Sequence, residues 1–162
     1  LPSPHPSTLE EVLALRESAR AQGRTVVLTN GCFDLLHRGH LDYLETSAKL
    51  GDLLIVAVNS DASVRALKGP DRPLNCAEDR AHALACLRFV DATFVFPDAR
   101  LVQEIRLLRP DIYTKAGDYT PDSLDPGEKA ALDEVGARIH IQPFTAGHST
   151  TSLIQRMATP AR

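Results

Sequence analysis

The sequence predicts an α/β fold, a doubly wound parallel sheet of about five strands with helices on both faces. Three observations carry this. Five short apolar runs rich in β-branched residues recur along the chain: RTVVLTN (24–30), LLIVAVN (53–59), ATFVF (92–96), DIYT (111–114) and RIHIQ (138–142). Helix-like stretches lie between them, and apolar runs alternating with helices mark parallel strands covered on both faces. The first run also ends in a glycine-containing connection, the place where such sheets bind ligands beyond their strand carboxyl ends.

Taken in order, the chain begins with LPSPHPST, which lacks a basic segment followed by an apolar stretch and so does not read as a signal peptide. Ser7 and Glu10 form a capping-box pattern ahead of LEEVLALRESARAQ, Gly23 supplies a stop, and Leu9, Val12, Leu13 and Arg16 repeat at helical spacing. We therefore divide the chain into a lead and helix (1–23) and one domain (24–158). The later helices are expected in LDYLETSAKL, ASVRAL, AEDRAHALACLRFV, ARLVQEIRLL, PGEKAALDEVG and STTSLIQRM. Between ASVRAL and the next helix, Gly69, Pro70 and Pro73 predict a loop that carries Lys68.

Composition narrows the function. Hydrophobic residues make up 43% and charged residues 24% of 162 positions, which suits a soluble globular domain. A net charge of −3 argues against a general nucleic-acid binder but leaves room for a small anionic ligand. No apolar run approaches the ~20 residues of a membrane span. Cys32, Cys76 and Cys86 lack zinc-type spacing and read as free thiols in a reducing cytoplasm.

The stretch TNGCFDLLHRGH (29–40) sits at the first strand-to-helix connection. Gly31 and Gly39 allow close approach of a ligand to the backbone. The following helix N-terminus offers unpaired N–H groups to phosphate. His37 and His40, three apart, can face one side of that terminus and donate to phosphate oxygens. Surface packing and a zinc site that includes Cys32 are the other readings of the histidine pair. Asp34 has a functional role or caps the turn. Asn59 and Asp61 close the second strand, where ligand contacts are expected, and Asp61 alternatively caps the next helix. Ser149, Thr150 and Thr151 cap the last helix or offer donors to a nucleotide. Arg80 and Arg88 lie on AEDRAHALACLRF, as ligand contacts or as a solvated face.

TNGCFDLLHRGH resembles the signature of the HxGH nucleotidylyltransferase superfamily, in particular its cytidylyltransferase-like branch. All of its fixed positions, Gly31, Phe33, Asp34, His37, Gly39 and His40, are present. Further segments are similar to the adenylyltransferase domain of bacterial ADP-heptose synthesis: LGDLLIVAVNSDASVRALKGPDRPLN, EDR, LRFVD, LRPDIYTKAGDYTPD and GHSTTSLI, together covering roughly residues 25–157. The resemblance implies a Rossmann-like fold. It also implies transfer of AMP from ATP to D-glycero-β-D-manno-heptose 1-phosphate, giving ADP-heptose and pyrophosphate, with Mg²⁺ bridging phosphates. It implies a stand-alone enzyme, a separate heptose kinase and a homodimer. It places His37, His40 and Lys68 on the triphosphate, the backbone of Cys32 and Phe33 around phosphate, and Asn30 and Gly31 among the nucleotide-binding positions. Asp34 then either fixes the loop or helps hold a metal. Lys115, Gly117 and Asp118 join the nucleotide pocket. Two departures stand out: Ala116 replaces a glycine common in the family, and His148 stands where relatives often carry an aromatic residue. A polyol-phosphate cytidylyltransferase, an aminoacyl-tRNA synthetase fragment and a non-catalytic nucleotide sensor are the competing readings.

Overall fold

The computed structural model describes residues 5–117, 120–143 and 145–159. Their elements run α1 (Leu9–Ala21), β1 (Val26–Gly31), α2 (Arg38–Ala48), β2 (Leu53–Asn59), α3 (Asp61–Lys68), α4 (Ala77–Ala85), β3 (Ala92–Phe96), α5 (Val102–Leu108), β4 (Ile112–Ala116), α6 (Pro126–Val135), β5 (Arg138–Gln142) and α7 (Thr150–Ala158). The strands form one parallel sheet in the order β3-β2-β1-β4-β5, so the chain winds one way from β1 and then the other. This is the doubly wound, Rossmann-like arrangement expected from the alternation of apolar runs and helices.

The central strands explain why the runs lack a polar face. All seven residues of β2 are buried, because helices cover both sides of the sheet. On one side Leu28, Ile55, Phe94 and Tyr113 pack with Val12 of α1, Ile105 of α5 and Leu132 of α6. On the other, Val27, Leu54, Val56 and Val58 pack with Leu44 of α2 and Leu84 of α4. Helix α1 is thus built into the first of these cores. Acidic side chains pin the strand starts: Asp111 Oδ2 accepts from Val26 N at 2.7 Å, and Asp91 Oδ2 from Leu54 N at 2.8 Å.

Two local expectations shift. The capping box of α1 is formed by Thr8 and Glu11, one residue beyond Ser7 and Glu10: Thr8 Oγ1 accepts from Glu11 N at 3.2 Å and Glu11 Oε2 from Thr8 N at 2.7 Å. Ser7 is held elsewhere, its N–H donating to Thr93 O of β3 at 2.7 Å. Lys68 is the last residue of α3 rather than a loop residue, and the chain leaves the helix at Gly69, whose φ of 101° favours glycine. Among the described residues no helix is long and apolar enough to cross a membrane.

Candidate active site

The carboxyl ends of β1, β2 and β4 open into a cleft made of two adjoining chambers. One, of about 220 Å³, lies between the start of α2 and the start of α7, with His37, His148, Ser149 and Thr151 on its walls. The other, of about 340 Å³, reaches toward β2 and β3 and is walled by Asn30, Cys32, Asn59, Arg72, Arg100 and Lys115. His40, Tyr43, Lys68, Ala116 and Thr150 line both and form the seam.

The backbone at the exit of β1 is shaped for this. Phe33 adopts φ 48°, a left-handed turn unusual for a residue other than glycine. The turn folds its ring back over Gly31, where a Cβ would meet the ring at 2.9 Å. The ring then stands edge-on to His40, with centroids 5.4 Å apart. Asp34 lies at the edge of the larger chamber, its carboxylate turned to the 72–75 segment. Its carboxylate accepts from Leu74 N, Asn75 N and Arg72 Nε at 2.7–2.9 Å. Burial alone would raise its pKa, but the two backbone N–H groups and the guanidinium outweigh that and hold the carboxyl below its usual range. Of the two roles open to Asp34, the geometry is that of a loop clamp.

Helix α2 begins at Arg38 with His37 as N-cap and no side-chain cap on its first turn. A Cβ at Gly39 would crowd the site, sitting 3.0 Å from the His37 ring and 3.1 Å from His148 Cβ. His37 and His40 stack, with centroids 3.9 Å apart and planes at 23°. His148 continues the stack on His37 at 6.3 Å. The Nδ1 atoms of His37 and His40 are buried without a hydrogen-bond partner among the described residues. Burial, then His37 and Lys68, push His40 down to about 4, the Leu35 backbone pulling the other way. Burial and His148 also lower His37. The pair is therefore neutral at physiological pH and presents N–H donors.

This has a measurable consequence. His40 titrates near its ordinary 6.5 in the unfolded chain and near 4 in the fold, so between those values the unfolded chain binds more protons. The stability that comes from a neutral His40 is complete above about pH 6.5 and drains away as pH falls through about 4. Tm measured by calorimetry is expected to drop as pH is lowered from 7 to 5, and His40→Ala to flatten that slope. An unchanged slope would show that His40 titrates normally.

The remaining sequence candidates divide. At α7, Ser149 caps the helix, its Oγ accepting from Ser152 N at 3.0 Å, while Thr150 and Thr151 face the smaller chamber. Lys68 reaches the seam, and Lys115 lies 3.8 Å from the buried carboxylate of Glu128. Gly117, at φ 133°, donates its N–H to Gln142 O at 2.9 Å. Asn59 is buried and donates through Nδ2 to Ser63 Oγ at 3.1 Å. The cap of α3 is Ser60, leaving Asp61 to pair with Arg80 at 2.8 Å. Arg80 is neither on a solvated face nor in the cleft: its guanidinium lies beneath the site and donates to Cys32 O, Asn59 O and Asn75 O. Arg88 is exposed beside Glu45 and is not brought to either chamber. Asp118 lies outside the described residues.

Tyr43, Arg72 and Arg100 are polar lining residues that the sequence did not mark as candidates. Tyr43 follows His40 by one helical turn, a spacing that marks it as a neighbour. Arg72 stands four residues after Lys68, in the loop that follows α3. Arg100, 3.2 Å from Asp125, reaches the cleft through the path of the chain after β3, which leaves no local signature. Among the described residues no group of three or more His, Cys, Asp or Glu side chains is arranged to hold a metal ion.

A family model described as cytidylyltransferase-like matches residues 28–156. Over 150 residues the chain is 47% identical to the Bifunctional protein HldE of Syntrophotalea carbinolica, covering 93% of this chain and 30% of that protein. It is 46% identical over 149 residues to the protein of the same name from Trichlorobacter lovleyi, with coverages of 92% and 29%. The chain thus spans about 30% of the length of these curated relatives. Among solved structures, a lipopolysaccharide core biosynthesis protein from Thermoplasma volcanium GSS1 superposes with a TM-score of 0.63 at 28% identity, over 76% of this chain and 98% of that one. A pantoate–β-alanine ligase from Francisella tularensis shares the fold, with a TM-score of 0.57 at 12% identity over 90% of this chain and 67% of that one.

Proposed function

The chain belongs to the cytidylyltransferase-like family of nucleotidyltransferases, and from that premise we propose that it transfers AMP from ATP to D-glycero-β-D-manno-heptose 1-phosphate, releasing ADP-heptose and pyrophosphate. The observation that carries the reading is the seam: two chambers meet where His40 and Lys68 stand beside a helix N-terminus without a side-chain cap. A two-substrate transfer needs such a meeting point. The nucleotide occupies the smaller chamber, its phosphates against the start of α2 and the α7 hydroxyls. The acceptor phosphate enters the larger one, where Arg72, Arg100 and Lys115, each beside a carboxylate, offer it N–H donors.

A phosphate oxygen of the sugar attacks the α-phosphorus in line. The new O–P bond forms as the bond to the β-phosphate oxygen breaks, and pyrophosphate leaves with the electron pair. No protein nucleophile takes part, so rate comes from alignment and from donors aimed at developing charge. His37 and His40 supply neutral N–H groups to phosphate oxygens. Lys68, which has no ion pair among the described residues, supplies charge to the departing pyrophosphate. Mg²⁺ bound with the nucleotide would supply positive charge that offsets the charge on the phosphates. Asp34 is the acidic residue among those lining the cleft, and its oxygens are already held by the 72–75 segment. The same reading takes the heptose phosphate from a kinase activity and places a homodimer in the cytoplasm.

A panel of sugar and polyol phosphates crossed with four nucleotides, read by pyrophosphate release, tests this. Turnover is expected with ATP and the heptose 1-phosphate. Faster turnover of CTP with glycerol 3-phosphate would assign the enzyme to polyol-phosphate cytidylyl transfer instead. Tight ATP binding without any turnover would leave a nucleotide sensor.

A further inference from the structure

Beneath the seam lies a buried hydroxyl relay that the reaction as described does not use. Tyr43 presents its ring to both chambers, while its hydroxyl turns into the protein. The oxygen lies 2.7 Å from Thr29 Oγ1 on β1 and 2.9 Å from Thr114 Oγ1 on β4. Thr29 donates its proton to Thr114 O at 3.1 Å. It therefore accepts from Tyr43, and Tyr43 in turn accepts from Thr114. Ser47, one turn further along α2, donates to Tyr43 O at 2.9 Å, lies 3.1 Å from Thr114 Oγ1 and accepts from Gln142 Nε2 of β5 at 2.9 Å. Thr29, Ser47 and Thr114 are fully buried and Gln142 nearly so. One relay thus ties α2 to β1, β4 and β5. Burial raises the Tyr43 phenol above its ordinary range despite these hydrogen bonds, so it remains a protonated donor.

The relay bears on catalysis because the histidine rings are held by ring contacts with Phe33, with each other and with His148, and by the Leu35 backbone at His40, all of which depend on the placement of α2. The Nδ1 atoms of His37 and His40 have no hydrogen-bond partner among the described residues, and α2 has no side-chain cap. Where α2 sits on the sheet therefore helps decide where the His40 ring lies. Leu44, buried in the core, fixes the depth of the helix, but apolar contact is non-directional and leaves rotation and sliding to polar contacts. Tyr43 is one residue from Leu44 and one turn from His40, at the point where directional bonds constrain the helix N-terminus.

We infer that Tyr43 is a positioning residue: its hydroxyl pins α2 to β1 and β4 and so holds the His37–His40 pair at the seam between the two substrates. This rests on the reading of the cleft as a nucleotidyl-transfer site. Displacement of catalytic groups by about 1 Å can cost ~10²-fold in rate, so loss of one of several anchors should cost part of that.

Tyr43→Phe keeps the ring and deletes the hydroxyl. Its kcat for pyrophosphate release is expected to fall about tenfold, with KM for both substrates changing by less than about twofold, as for loss of an interaction made in the transition state. Thr93→Val is the comparison. It removes a buried hydroxyl that donates to Ala81 O at 3.2 Å, away from the cleft, and should lower Tm without changing kcat. In a His40→Ala background Tyr43→Phe should have little further effect, since coupled residues are non-additive. A Tyr43→Phe enzyme with wild-type kcat and a Tm loss like that of Thr93→Val overturns the inference, as does full additivity with His40→Ala. A second measurement needs no substrate. In NMR titrations of the ligand-free protein, Tyr43→Phe should move the His40 resonances and midpoint while leaving His82 and His140 unchanged. An unmoved His40 overturns the inference. If no sugar phosphate is turned over at all, the proposed reaction fails while this reading of Tyr43 still stands or falls by the NMR result.

Discussion

His40→Ala is expected to lower kcat by about 10²–10³-fold, the scale for removing one preorganised donor to developing charge, while the protein stays folded. His40 stacks on His37, meets the Phe33 ring edge-on and is only partly buried, so its truncation leaves a gap open to the cleft rather than a sealed cavity. Its Nδ1 has no hydrogen-bond partner among the described residues, and its remaining polar contact is with the Leu35 backbone at the open side of the loop. Tm at neutral pH should therefore change little. The effect on kcat should exceed that on KM for ATP, because charge accumulates on phosphate oxygens as pyrophosphate departs. Pyrophosphate release under saturating substrates, with Tm measured on the same preparations, separates the outcomes. Turnover near wild type in folded His40→Ala would return the stacked pair to a packing role.

The parts of this molecule legible from sequence are those set by local rules. Five β-branched apolar runs gave five parallel strands because strands buried on both faces carry no polar alternation to obscure them. The glycine and histidine pattern of 29–40 located the cleft, since the fold fixes which connection lies at the strand carboxyl ends. Contacts made across the sheet were harder to read. The capping box of α1 moved by one residue because Ser7 is claimed by a strand far away in sequence. Asp34 could be read as metal ligand or clamp until Leu74 and Asn75 were seen to donate to it. Arg88 shares a sequence segment with Arg80, yet it emerges beside Glu45 while Arg80 is buried. The difference was partly present in the pattern. Arg80 is four residues from Leu84 and adjacent to Ala81, both buried, so it belongs to the apolar stripe of α4. A charge on that stripe signals a partner, but only the fold supplies which one.

Arg80→Met is expected to destabilise the protein by about 3–5 kcal/mol, the cost of breaking a buried charged network by removing one partner. For a domain of this size that is a fall in Tm on the order of 10 °C. The side chain is fully buried, and its donors diverge: Nε to Asn75 O at 2.9 Å, Nη1 to Cys32 O at 2.6 Å, and Nη2 to Asn59 O at 2.7 Å and Asp61 Oδ1 at 2.8 Å. Those acceptors come from the exits of β1 and β2 and from the segment ahead of α4, so one guanidinium ties together three pieces of the cleft floor. Methionine fills much of the volume but strands the carbonyls without donors. Arg80→Lys should recover little, because an ammonium concentrates its donors on one atom and cannot span acceptors held this far apart. Below the lowered Tm, both variants should bind ATP more weakly, since the Cys32 backbone and the Asn75 end of the loop are no longer held. The measurement also separates the two roles open to Arg80. A contact with bound nucleotide would appear as weakened ATP binding at nearly unchanged Tm, whereas the buried tie requires stability and binding to fall together.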